Sequence, residues 1–137
     1  MMKKSPHYPR LVSVRGAVAL SNRDPDQMIL RMGDLLDSLF RENGVEPEHI
    51  VHIFFSQTED IDFLNAAAAA RKSRVGESIS RTPLFCSLEP RYPGSLPMTL
   101  RILLTYYSSG DQPAKPVYLY GAEVLRKDMF HGSGVDG

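Results

Sequence analysis

The stretch from Asp24 to Gly44 constrains the fold more than any other part of the chain, because it carries a start signal, one apolar stripe and a stop signal. Asp24 stands as N-cap, Pro25 takes the first helical position, and Gln27 lies three residues beyond the cap, able to close a capping box. Met28, Ile29, Met32, Leu35, Leu36, Leu39 and Phe40 then recur at spacings of three and four, and Asn43-Gly44 ends the run. A helix with a single apolar face has to cover something, and the flanking segments are of strand type. Leu11 to Leu20 is rich in β-branched residues with period-two character, and Ile50 to Phe55 is a short apolar run that reads as a buried strand.

The remainder extends this alternation. The alanine run Ala66 to Ala70 has the highest intrinsic helix propensity available and predicts a second helix over about residues 65–75. Thr82 to Ser87 reads as a third strand, entering a loop from Leu88 to Leu96. Pro97 is expected to open a third helix through Met98, Leu100, Ile102, Leu103, Leu104 and Tyr106-Tyr107, apolar nearly all round and so buried on several sides. Val117 to Val124 returns as a strand with a bend at Gly121. The order strand, helix, strand, helix, strand, helix, strand predicts a mixed α/β sheet with helices packed on it. A sheet covered on one face needs cover on the other, and self-association with closed symmetry supplies it economically. One domain over residues 11–128 is expected, with a loose lead-in at 1–10 and a loose Gly-rich tail at 129–137.

Composition excludes several function classes. Sixteen basic and sixteen acidic side chains cancel, so no global field draws the chain to nucleic acid or an anionic membrane, and neither is expected as a partner. No run approaches the length of a membrane-spanning helix, and Arg15 interrupts the one candidate for a signal peptide. A single cysteine, Cys86, rules out an internal disulfide and is compatible with a reducing cytoplasm, the expected location. Cys86 has no evident His-Asp or His-Asn partner set, so it reads as a small core residue before it reads as a nucleophile. His49 and His52 are three apart without a third ligand, so no metal is expected. Arg15-Gly16-Ala17 is too short for a phosphate-binding loop.

What the composition leaves unexplained is local. Arg15, Arg71, Arg101 and Arg126 each sit beside apolar residues, where a guanidinium usually requires an anionic partner. Few carboxylates stand at helical or cross-strand spacing from them. Arg101 is the sharpest case, since it lies inside the apolar run Met98 to Leu104, and either a structural bridge to Glu89 or an external anion would satisfy it. Arg71 and Arg126 taken singly are compatible with solvated side chains. Together the four point to a small substrate carrying more than one carboxylate.

Val14-Arg15-Gly16-Ala17, Ser56-x-Thr58-x-Asp60, Ala67 through Arg71, Pro83-x-x-Cys86-x-x-Glu89, Gly94-x-Leu96, Arg101, Val117-Tyr118-Leu119 and Val124-Leu125-Arg126 follow one another over roughly residues 12–128. This ordered set resembles the small, trimeric chorismate mutases of the Bacillus type, built as a pseudo-α/β barrel. The resemblance implies conversion of chorismate to prephenate in phenylalanine and tyrosine synthesis, without cofactor or covalent intermediate, in a homotrimer with sites at the subunit boundaries. Catalysis would then be conformational restraint plus preorganised electrostatics.

On that resemblance Arg101 directs its guanidinium at the ether oxygen, where negative charge gathers as the C–O bond breaks. Glu89 faces the ring hydroxyl and the developing cation, with Cys86 near the same hydroxyl. Arg15 and Tyr118 hold the side-chain carboxylate, while Arg71 and Arg126 attract and cover the remaining charge. Phe85, Ser87 and Leu88 supply loop contacts, and Leu125 and Asn65 count among the substrate-binding residues. Two stretches depart from the family pattern: Asn65-Ala66-Ala67 stands where members usually have Phe-Pro-Ala, and Pro90-Arg91 where they tend toward Met-Asp. The competing expectation is a non-catalytic binder of a small carboxylate, or a regulatory trimer, on the same scaffold.

Overall fold

The computed structural model describes residues 9–125 of the chain. Residues 1–8, most of the expected lead-in, lie outside them, as do Arg126 and the tail at 129–137. Five strands form one sheet: β1 (Arg10–Ala19), β2 (Ile50–Gln57), β3 (Leu84–Leu88), β4 (Thr99–Ser108) and β5 (Val117–Leu119), in the spatial order β3-β2-β4-β1-β5. β4 runs antiparallel to both β1 and β2, whereas β3 is parallel to β2 and β5 parallel to β1. Two helices, α1 (Pro25–Asn43) and α2 (Ala66–Lys72), pack on one another and on the same face of the sheet. The mixed α/β sheet with helices against it is therefore the fold expected.

α1 forms where its signals stand. Asp24 caps it through the Asp26 N–H, and Gly44 ends it in the left-handed conformation at φ 58°. Met28, Met32, Leu35, Leu36 and Leu39 are its fully buried stripe. Gln27 does not close a capping box: its Oε1 accepts from the N–H groups of Ser21 and Asn22, further back than Asp24. α2 is shorter than its alanines predict, bounded by the Asn65 cap and by Ser73.

The third helix expected from Pro97 is not present; that run is the strand β4, at the centre of the sheet. Leu103 and Tyr107 put apolar side chains on the helix-free face as well, so the run shows no clean period and periodicity does not separate the two alternatives. Its Thr, Ile and Tyr content is that of a strand. Leu100, Ile102, Leu104 and Tyr106 turn to the helices, and Thr99, Arg101, Leu103, Thr105 and Tyr107 to the other side. The last strand is also shorter than expected, ending at Leu119; the chain turns at Tyr120 and Gly121, both with positive φ (55° and 101°), and residues 123–125 form a helical turn. The third strand starts at Leu84 rather than Thr82.

Alternation along β1 explains the Arg15-Gly16-Ala17 triplet. Val14, Gly16 and Val18 face the helices, so Arg15 and Ala17 project to the opposite face. A Cβ at Gly16 would stand 2.9 Å from Leu39 Cδ1 and 3.1 Å from the Val117 carbonyl oxygen, so glycine is what lets α1 and β5 approach together. The face without helices exposes Leu11, Phe54, Phe85, Leu103 and Tyr107. Among the described residues its β5 corner is covered by a small cluster of Ala17, Tyr118 and Ala122 with Leu96 and Leu125.

Candidate active site

The strand register places one row of residues across all five strands on the helix-free face: Ser87, Ser56, Arg101, Ala17 and Tyr118. Arg101 lies at the middle of the row. Its Nε is 3.6 Å from Glu89 Oε1, close enough for charge attraction and too far for a hydrogen bond, and it is buried without a hydrogen-bond partner. An unpaired buried donor costs about 1–3 kcal/mol, so this N–H is a standing demand for an acceptor. Glu89 is held by the Ser56 hydroxyl, which donates to Oε1, and by its own N–H, which donates to the Gln57 carbonyl at 2.8 Å.

The geometry at the start of β4 gives the Ser56-x-Thr58-x-Asp60 pattern a physical reason. Met98 adopts φ 49°, uncommon for a residue with a side chain. Its N–H donates to the Asp60 carboxylate at 3.0 Å, and the Thr99 N–H donates to Thr58 Oγ1 at 3.0 Å. Ser56 steadies Glu89, while Thr58 and Asp60 fix the entry of the strand that carries Arg101. The three alternate residues form one support.

Arg15 is opposite Leu103 on the β1–β4 ladder, which makes it a diagonal neighbour of Arg101 on the same face. It is exposed and makes no ion pair among the described residues. Phe85 shares the face, 63% exposed and edge-on to Phe54 with ring centroids 5.2 Å apart. Ser87 is exposed in the row itself, Tyr118 is buried at the far end, and Leu125 packs beside Tyr118. Arg15, Phe85, Ser87, Glu89, Arg101, Tyr118 and Leu125 are thus brought to one face.

Cys86, Asn65 and Arg71 are not. Cys86 is paired with the buried Phe55 and packs against the helix-side core, so its side chain leaves β3 on the opposite face from Phe85 and Ser87. Asn65 spends its side-chain oxygen on the Ala67 and Ala68 N–H groups at the start of α2. Arg71 donates to the carbonyls of Ile79 (3.5 Å), Ser80 (3.4 Å) and Thr82 (3.3 Å), clasping the loop that leads into β3. Leu88 is 64% exposed at the end of the β3 edge strand. Arg91, one of the family departures, pairs with Glu59 of the β2–α2 loop. Arg126, assigned to the site by resemblance, lies outside the described residues.

Sequence reasoning on single residues passed over Gln57, whose side chain meets Cys86, the turn after β2 and the start of α2. The signal was available: Ser56-Gln57 is a polar pair ending a strand that is otherwise apolar.

Three comparisons with known proteins bear on this arrangement. The family model described as chorismate mutase type I matches residues 11–129. The chain is 31% identical over 118 residues to the chorismate mutase AroH of Thermus thermophilus, covering 85% of this chain and 93% of that protein. It is 26% identical over 117 residues to the chorismate mutase AroH of Bacillus subtilis, covering 85% and 90%. Among solved structures, the chorismate mutase from Clostridium thermocellum superposes with a TM-score of 0.76 at 33% identity, over 83% of this chain and 99% of that one. Sequence match, fold and length of overlap agree: the chain belongs to the chorismate mutase type I family.

Proposed function

We propose that this protein catalyses the intramolecular rearrangement of chorismate to prephenate, in the synthesis of phenylalanine and tyrosine in the cytoplasm. The observation that carries the reading is the buried, unpartnered Nε of Arg101 beside the Glu89 carboxylate. As the ether C–O bond breaks ahead of C–C bond formation, negative charge grows on the ether oxygen and positive charge on the ring. A fixed guanidinium and a fixed carboxylate a few ångströms apart oppose those two charges without reorganising, which is preorganised electrostatic stabilisation. Arg15 and Tyr118, on the same face, hold the side-chain carboxylate of the substrate and restrain it in its compact form. The mechanism requires no cofactor or metal.

The site is completed by a neighbouring copy in a homotrimer. Two features support this. The helix-free face exposes Leu11, Phe54, Phe85, Leu103 and Tyr107, a surface that self-association would cover. Cys86 leaves β3 on the helix side, and Asn65 and Arg71 belong to α2 and its cap, so all three reach a substrate at Arg101 only from another copy. The catalytic unit is a single domain over residues 11–128.

Loss of the diene absorbance of chorismate on addition of the purified protein is the deciding assay. Turnover above the uncatalysed rate is expected, and binding with no turnover would replace the isomerase by a carboxylate binder on the same scaffold. Light scattering is expected to give three times the 15.3 kDa mass of one chain. A single-chain mass at micromolar concentration would rule out shared sites.

A further inference from the structure

We propose that Gln57 is a positioning residue that aims Cys86 and the start of α2 at the substrate; this rests on the isomerase reading above. The side chain of Gln57 uses every hydrogen-bonding group it has. Nε2 donates to the carbonyls of Ile61 at 2.8 Å and Leu64 at 3.0 Å. Oε1 accepts from the Ala66 N–H at 2.7 Å and from the Cys86 thiol at 3.2 Å. Backbone carbonyls only accept and a backbone N–H only donates, so three of these four partners fix which end of the amide is oxygen. The oxygen therefore faces Cys86, and the sulfur can meet it only as an S–H donor.

Two consequences follow for the site. With its proton committed to Gln57, Cys86 offers a substrate hydroxyl its sulfur lone pairs, so the hydroxyl would be the donor in that contact. The same amide sets where the turn at residues 61–64 ends and α2 begins, and hence where Asn65 stands. The main chain of Gln57 meanwhile holds the Glu89 N–H, a contact that survives loss of the side chain. Gln57 thus acts on the residues that surround the ring, separately from the Arg101–Glu89 pair that meets the reacting charges.

The test is a set of steady-state measurements with chorismate on wild type, Gln57→Leu, Cys86→Ala, Cys86→Ser and the double variant Gln57→Leu/Cys86→Ala. Gln57→Leu is expected to raise KM about tenfold while kcat stays within about threefold, and the double variant is expected to be no worse than Gln57→Leu alone, because coupled residues are not additive. Cys86→Ser, which keeps a donor toward Oε1, is expected to raise KM less than Cys86→Ala does. The inference is overturned if Gln57→Leu leaves KM unchanged, if its loss falls on kcat alone, or if the single effects multiply in the double variant. Should Gln57→Leu not fold, the contrast between Cys86→Ser and Cys86→Ala decides, and equal KM values for the two overturn it. If wild type itself shows no turnover, the isomerase reading fails independently. The Gln57–Cys86 contact is then read from alkylation of Cys86 by iodoacetamide, expected to be about fivefold faster in Gln57→Leu. An unchanged rate there refutes the contact.

Discussion

The two faces of the one sheet are finished differently. On the helix side, Val14, Val18, Ile53, Phe55, Leu100, Ile102 and Leu104 meet the apolar stripe of α1, and all are at most 3% exposed. On the other side the same strands present Arg15, Arg101, Ser56 and Ser87 among exposed Leu11, Phe54, Phe85, Leu103 and Tyr107. Stability is generated on the first face, where apolar area is removed from water at about 25 cal/mol per Å². The second face keeps charge and the unsatisfied Nε of Arg101, which a packed core would not tolerate. The division lets the chemistry vary without loosening the core, because each strand serves both faces through alternate residues.

The packed face is the more sensitive of the two to substitution. Phe55→Ala removes the largest fully buried side chain and should cost about 3–5 kcal/mol in denaturant unfolding. A cost below 1 kcal/mol would mean that the helix-side core is not the source of stability. On the other face, Arg101→Ala should raise the barrier for chorismate turnover by about 3–4 kcal/mol. Its unfolding free energy should change little, because the side chain is a third exposed and hydrogen-bonds nothing through Nε. Equal loss of stability and rate would make Arg101–Glu89 a structural bridge instead.

Gly16→Ala tests the line between the faces. The added methyl meets Leu39, Leu35 and the Val117 carbonyl and should destabilise by about 1–3 kcal/mol through overpacking. A neutral result would show that α1 can retreat from the sheet freely.

The smallest effect is expected at the polar tie where α1 meets the turn after β5. Burial pushes the Asp34 carboxyl up, but hydrogen bonds from the Tyr120 hydroxyl at 2.6 Å and from Arg74 at 2.6 Å outweigh it and hold the group below its ordinary value. The same contact with Asp34, then burial, pushes the Tyr120 phenol above its ordinary value. A depressed carboxyl stabilises the fold above its unfolded value, about pH 4, and that contribution is lost as pH falls through the folded value. A raised phenol stabilises below its unfolded value, about pH 10, and its contribution is lost as pH rises through the folded one. Asp34→Asn should therefore cost about 1 kcal/mol or less at neutral pH, since Arg74 is half exposed, and the difference from wild type should vanish in strong acid. A difference that persists in acid would assign the effect to packing.

The parts of this molecule that were legible in its sequence are those written locally. The cap, stripe and stop of α1 lie within twenty-one consecutive positions, from Asp24 to Gly44, and the alternation of β1 within ten. β4 is not legible as a strand from its own residues because what makes it one is distant: β1 and β2 take up the backbone hydrogen bonds along its two edges. Arg101 was conspicuous as a charge in an apolar run, whichever element held it. Asn65, directly before the alanine run, stands where an N-cap is legible, whereas Arg71 is not recognisable as a loop clasp, because its partners are backbone carbonyls with no sequence signature. Gln57 escaped for the same reason: three of its four side-chain partners are main-chain atoms.

Chain order and sheet order disagree most at β4, which arrives fourth from the N-terminus and lies between the two earliest strands. Arg101 is placed only when residues some forty and eighty positions upstream, at Ser56 and Ala17, have already come alongside it. Such high contact order slows folding, since long loops must close before the pairing rewards them. During synthesis the chain emerges with its hydrophobic helix and its flanking strands unjoined until the fourth strand leaves the ribosome. A product ending before residue 101 lacks the guanidinium at the middle of the row.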